Sequence, residues 1–162
     1  MRIATLCLVV RGDEVLLAKK KSGFGANWWN GFGGKVKEGE DVLSAACREV
    51  FEESGLRVAQ EHLKKVAVAH FRFPEIPEYD QDVHTYLVER WEGEPQESEE
   101  MQKGVWFTLD SVPYHEMWPG DDQWLPLILR DKKIIESDVQ FSGAQPPHHP
   151  LSASFREVSS FE

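Results

Sequence analysis

Three glutamates, Glu49, Glu52 and Glu53, stand at i, i+3 and i+4. On a helix those offsets put three carboxylates on one face, about one turn apart. Like charges so placed repel one another and weaken an isolated helix. A hard divalent cation that takes oxygen ligands offsets that repulsion. Arg48 lies four residues before Glu52 and is placed to pair with it, which would hold one carboxylate still. A solvated acidic helix face is the plainer explanation of a bare Glu-x-x-Glu-Glu, so the residues flanking the triplet decide between the two.

A helix is expected over Glu40–Ser54. Val42, Ala46 and Val50 recur every four residues, with Leu43 and Cys47 beside them, and make one apolar stripe. Gly55 supplies a left-handed stop and Leu56 the apolar residue that follows it. Upstream, Ile3–Val10 and Glu14–Lys20 read as two strands paired around Arg11-Gly12-Asp13. Residues 22–39 hold six glycines interleaved with Phe24, Trp28, Trp29 and Phe32, the composition of a loop or irregular strand with close backbone approaches. Val66–Phe73, Val83–Trp91 and Val105–Phe107 read as strands, as do Val139–Phe141 and Ser154–Val158. A second helix is expected over Asp121–Lys132, with acids at its start and bases at its end. The QPPHHP stretch before the last strand reads as an exposed connection, so an exposed loop is expected near 143–150.

One domain over residues 1–162 is expected, since a chain of this length buries roughly two-thirds of its extended surface. A formal net charge of −10 makes long nucleic acid a poor partner, because binding it needs clustered Lys and Arg. A small phosphate ligand remains open if cations screen the charge. The apolar start is too short to span a membrane and carries no cleavage pattern. Cys7 and Cys47 each sit among apolar or small residues and read as buried thiols. These features suggest a reduced, cytoplasmic monomer, with nuclear or mitochondrial pools open.

Gly34, five residues, Glu40, seven residues, then Arg48-Glu49-Val50-x-Glu52-Glu53-x-Gly55-Leu56 fills every position of the Nudix box. Seven fixed residue types and two apolar positions coincide by chance on the order of once in a billion. The chain therefore resembles the Nudix hydrolases. That resemblance implies an α/β fold, an α/β/α sandwich with a mixed sheet in which the box is a loop–helix–loop. It further implies Mg²⁺, with Mn²⁺ as a substitute, held on a diphosphate by Glu49, Glu52, Glu53 and the Gly33 carbonyl. Arg48 joins the catalytic group, and either Glu52 or Glu53 is the base that deprotonates water. Glu100, in the acidic loop Glu97–Glu100, is a further ligand on the same grounds.

The likeness extends past the box. KKSGFGANWWNGFGGK, Asp82-Val83-His84, ESEEM at 97–101, MWP at 117–119, WLPL at 124–127 and REV at 156–158 resemble the oxidised-purine branch of the family, the eukaryotic MutT homologues. That branch implies hydrolysis of 8-oxo-dGTP, 2-hydroxy-dATP and related nucleotides to monophosphate and pyrophosphate. On this pattern Trp118 stacks on the purine, Phe24, Phe71 and Phe73 wall the pocket, and Asn30 offers a donor and an acceptor to the base edge. Thr5, Lys20, Phe32, Gly33, Gly34 and Pro119 match substrate-side positions, and Lys35 a phosphate-side one. An Asp beside Trp118, kept protonated by burial, would donate to the base. The branch carries Trp-Pro-Asp-Asp where this chain reads Trp118-Pro119-Gly120-Asp121-Asp122, so either Gly120 and Asp121 or Asp121 and Asp122 face the base. Gln81 stands where an apolar pocket residue is usual. Trp124 reads as core of the second helix and His84 as a satisfied structural histidine. Two alternatives stay open: a Nudix enzyme for another modified nucleotide or nucleoside diphosphate derivative, and a binding module without catalysis. The complete carboxylate set speaks against the latter.

Overall fold

A computed structural model describes residues 1–23, 25–143 and 149–161. The apolar alternation of the N-terminus forms β1 (Arg2–Arg11) and β2 (Glu14–Lys19), an antiparallel hairpin turned at Gly12. The other strands are β3 (Trp29–Asn30), β4 (Leu63–Arg72), β5 (Gln81–Val88), β6 (Val105–Thr108), β7 (Ile135–Ser142) and β8 (His149–Glu157). Together they make one mixed sheet in the order β3-β2-β1-β5-β4-β7-β8, with β6 also paired to β2. The pairs β1–β5 and β4–β7 are parallel and the rest antiparallel.

Two helices sandwich this sheet: α1 (Val42–Ser54) and α2 (Asp121–Leu129). The alternation of β1 and β2 shows why. Leu6, Leu8, Val15 and Leu17 join the core beneath α2, with Trp124, Leu125, Ile128 and Leu129. The intervening Cys7, Val9, Leu16 and Ala18 join the core beneath α1, with Ala46 and Val50. Both faces of these strands are buried, so they read as continuous apolar runs.

The glycine-rich segment is the part the sequence leaves undefined. β1 pairs with β2 only from Val9 to Arg11. Ahead of that the two strands fork, and residues 29–36 enter the gap. Trp29 and Asn30 pair with Lys19 and Ala18, while Phe32 and Lys35 bridge to Cys7 and Ala4. Cys7 N–H donates to the Phe32 carbonyl at 2.6 Å and Thr5 N–H to the Gly34 carbonyl at 2.9 Å.

α2 is shorter than the expected Asp121–Lys132. Pro126 lies inside it, and the amides of Arg130 and Asp131 both turn back to the Pro126 carbonyl. The last two strands are longer than expected, because they pair with each other from Ile135 to Ser142, with one register shift between Gln140 and Phe141. Residues 144–148 of the expected connection lie outside the described residues, and His149 and Pro150 belong to β8. Cys7 is buried, whereas Cys47 is only half-buried on α1; both are free thiols. Among the described residues no helix is long and apolar enough to cross a membrane.

Candidate active site

Asp41 caps α1 by accepting from the Ser44 amide at 2.9 Å, and Gly55 ends it at φ 79° with its N–H on the Phe51 carbonyl. Between these caps the helix presents Arg48 and three glutamates. Arg48 forms the expected pair with Glu52 at 3.1 Å and also takes Glu49 at 2.8 Å. Its Nε and Nη2 together grip both oxygens of Glu40 at 2.7 and 2.9 Å. The hydrogen bonds from Arg48, then that from the Lys37 amide, hold the Glu40 carboxyl down at about 2. Arg48 thus ties the loop before the helix to the helix itself.

Glu53 points inward and is 5 % exposed. It accepts from the Gly33 amide at 2.8 Å. Burial, with the nearby charges of Glu49 and Glu100 and a hydrogen bond shared with Glu100, pushes its carboxyl up to about 8 against the opposing pull of the Gly33 N–H. Burial likewise raises Glu49, which Arg48 counteracts. Glu52 is the most exposed of the three, at 51 %. Gly33 and Gly34 allow this approach. A Cβ on Gly33 would lie 1.9 Å from the Thr5 carbonyl oxygen, and one on Gly34 would lie 2.5 Å from Cδ of Glu49. The charges of Glu49 and Glu100 raise the proton affinity of Glu53, and that of Glu100 raises Glu49, which makes a set of crowded oxygen donors of the kind a hard divalent cation satisfies. Among the described residues no three acidic, histidine or cysteine side chains already converge on one metal-sized position. Arg48 stands between Glu49 and Glu52 instead.

A cavity of about 210 Å³ opens beside this cluster, with Glu53, Gly33 and Gly34 at its edge. Of the expected substrate residues, Thr5, Lys20, Asn30, Phe71, Phe73, Trp118, Pro119, Gly120 and Asp121 line it. Three do not. Phe32 is 1 % exposed in the core beneath α1, because its neighbours in the fork alternate faces like strand residues. Lys35 is exposed at the surface, with its carbonyl on Arg48. Asp122 is exposed on the outer side of α2. Phe24 lies outside the described residues. Sequence reasoning named no site role for Gln123, Met101 and Phe141, which also line it, although Met101 closes the ESEEM stretch. Gln81 and Trp28 also line it.

Gly120 and Asp121 line the cavity at the start of α2. Gly120 adopts φ 98° ahead of α2, which points the first helical residue inward. Asp121 is 7 % exposed and accepts from Trp124 Nε1 at 3.0 Å. Burial, with the Asp122 charge, raises its carboxyl to about 7. Trp124 therefore packs in the core, as expected, and also orients Asp121. Asn30 lines the cavity; its Oδ1 accepts from the Gly31 amide at 2.9 Å, and its amide nitrogen is a donor.

The Asp121 shift has a stability consequence. The folded chain holds a proton that the unfolded chain releases above its ordinary value of 3.8. This contribution is complete below about pH 4 and is lost as pH rises through 7. Asp121→Asn is expected to gain stability over the native chain at pH 8 and not at pH 4, in urea unfolding at both values. Equal differences at the two pH values would contradict the assignment.

On the reverse face of the sheet the structure holds a network that sequence reasoning missed. His70 Nδ1 lies 2.7 Å from Asp82 and Nε2 lies 3.3 Å from Glu136, while Arg72 bonds Asp82 and Arg156 bonds Glu136. Burial pulls the His70 ring down, and the hydrogen bonds to the two carboxylates outweigh it and raise it. His84 departs from expectation: its Nδ1 is buried without a hydrogen-bond partner among the described residues.

The NUDIX domain family matches residues 1–128. The chain belongs to the Nudix family. It is 47 % identical over 160 residues to the oxidized purine nucleoside triphosphate hydrolase of Mus musculus, covering 99 % of this chain and 97 % of that protein. It is 45 % identical over 135 residues to the protein of the same name from Danio rerio, covering 83 % of each. In three dimensions it superposes on the MutT protein of Bacillus halodurans with a TM-score of 0.80 and 26 % identity, covering 96 % and 97 % of the two chains.

Proposed function

We propose that this Nudix hydrolase sanitises the nucleotide pool by cutting oxidised purine nucleoside triphosphates to the monophosphate and pyrophosphate. The observation that carries the proposal is one cavity whose lining brings together two kinds of chemistry: the Trp118 indole with Asn30 and Asp121, and Glu53 of the carboxylate cluster on α1. A purine is a flat π-surface that stacks on an indole. A protonated Asp121 and the Asn30 amide are donors for the carbonyl and ring-nitrogen acceptors of its edge.

The phosphates then extend toward Glu53. Glu49, Glu52, Glu53, Glu100 and the Gly33 carbonyl would hold Mg²⁺, and Mn²⁺ in its place. The Gly33 carbonyl accepts none of the described backbone hydrogen bonds. A bound divalent cation neutralises charge on the phosphate oxygens and makes water a stronger acid. Arg48 keeps Glu49 and Glu52 aligned, and Glu52 or Glu53 accepts the proton of the attacking water. Lys20, on the cavity wall, balances the charge of the sugar–phosphate end.

The test is a pyrophosphate-release assay on the purified chain with Mg²⁺. 8-oxo-dGTP is expected to turn over much faster than dGTP. Equal rates would end the specificity claim and leave the family chemistry in place. Gly120 and Gln81 favour a second reading, another modified purine as preferred substrate, because they replace an acidic and an apolar residue at the base end. A panel including 2-hydroxy-dATP separates the two.

A further inference from the structure

Trp118 lies in the stretch between the 3₁₀ turn Tyr114–Glu116 and α2, outside any helix or strand. A stacking surface is useful only if its plane is fixed, so the packing around Trp118 matters. Trp28 provides that packing. Its ring meets the Trp118 ring at a centroid distance of 4.7 Å and an interplanar angle of 87°. Trp28 itself is held firmly. Its N–H donates to the Gly25 carbonyl at 3.2 Å, its carbonyl accepts from Lys20 at 3.2 Å, and the Asn27 amide closes on Lys20 at 2.7 Å. Gly25, at φ 86°, brings the same turn against Trp118; a Cβ there would stand 3.2 Å from Trp118 Nε1.

We infer that Trp28 is a positioning residue that fixes the plane of Trp118 and so sets the affinity for the base. This rests on the base-binding role proposed for Trp118. The right angle separates the two roles. A purine stacked parallel to Trp118 is perpendicular to Trp28, which therefore gives it no second stacking face. Edge-to-face aromatic pairs contribute about 0.5–1.5 kcal/mol beyond buried area, equivalent to roughly 2–10-fold in binding.

The experiment compares native protein with Trp28→Ala, Trp28→Leu and Trp28→Phe on 8-oxo-dGTP, with inhibition by the nucleoside monophosphate and by pyrophosphate. For Ala and Leu, KM is expected to rise about 3–10-fold and monophosphate inhibition to weaken in parallel. kcat should fall by less than twofold, and pyrophosphate, which occupies only the phosphate end, should inhibit as before. Phe, which retains an aromatic edge, should restore most of the affinity. If Ala does not fold, Leu is read in its place. Unchanged KM, Phe behaving like Leu, or parallel loss of pyrophosphate inhibition would overturn the inference. Native protein that fails to hydrolyse 8-oxo-dGTP would instead overturn the proposed function.

Discussion

Glu53→Gln is expected to lower kcat by two to four orders of magnitude, on the order of what one acid–base or metal-holding group contributes. The same change should raise stability in metal-free buffer. Glu53 has a folded-state value of about 8 against an ordinary 4.5. Its contribution is therefore complete below about pH 4.5 and disappears as pH rises through 8. Glutamine is neutral throughout, accepts from the Gly33 amide and donates to Glu100. Its advantage should grow across that window and reach a few degrees of melting temperature at pH 8. Adding Mg²⁺ should stabilise the native chain by mass action and stabilise the variant far less. A variant with native kcat, or a stability difference that is flat from pH 5 to 8, would refute this account of Glu53.

Gly33→Ala should be the most damaging single methyl group in the chain. The added Cβ would meet the Thr5 carbonyl oxygen at 1.9 Å, its carbon at 2.6 Å and the Leu6 Cα at 2.9 Å. All three are backbone atoms, so no side chain can swing away. β1 and the inserted segment must separate, which breaks the pairing on both sides of Gly33. A loss of about 4 kcal/mol or more is expected, of the size reserved for core disruption. That is about 10 °C in melting temperature for a chain this long. Gly34→Ala gives the contrast, because the three atoms nearest its Cβ all belong to the Glu49 carboxyl, a side chain. It should spare most of the stability and lose hydrolysis. Urea unfolding together with pyrophosphate release resolves both, and a Gly33→Ala chain within 1 kcal/mol of native would contradict the geometry.

The readable part of this molecule was the part set by local rules. Periodicity, an Asp41 cap and a left-handed Gly55 define α1, and the i, i+3, i+4 offsets place its carboxylates. Strand positions came from apolar alternation, within two or three residues at most ends. What stayed hidden depended on register. Phe32 and Gly33 are neighbours in a glycine-rich stretch, and only the pairing with β1 sends one into the core and the other to the cavity. Asp121 and Asp122 look equivalent in sequence. The left-handed turn at Gly120 buries the first and exposes the second. His70 and Asp82 face each other only through the β4–β5 register, and Glu136 arrives from β7, distant in the chain, so no local spacing announces the three together. Proline has no amide to give to the helix, so Pro126 removes one bond toward Asp122, yet α2 runs on to Leu129 and the proline does not mark its end.

Because successive β1 side chains point to opposite layers, parity along a single strand becomes an engineering coordinate. Ala4 and Leu6 line the cavity, while Cys7 and Val9 form the seat of α1. Reshaping Leu6 would retune which base is admitted, and reshaping Cys7, one peptide bond away, would alter how the hydrolytic machinery rests on the sheet. Selectivity and turnover are thereby adjustable by adjacent codons.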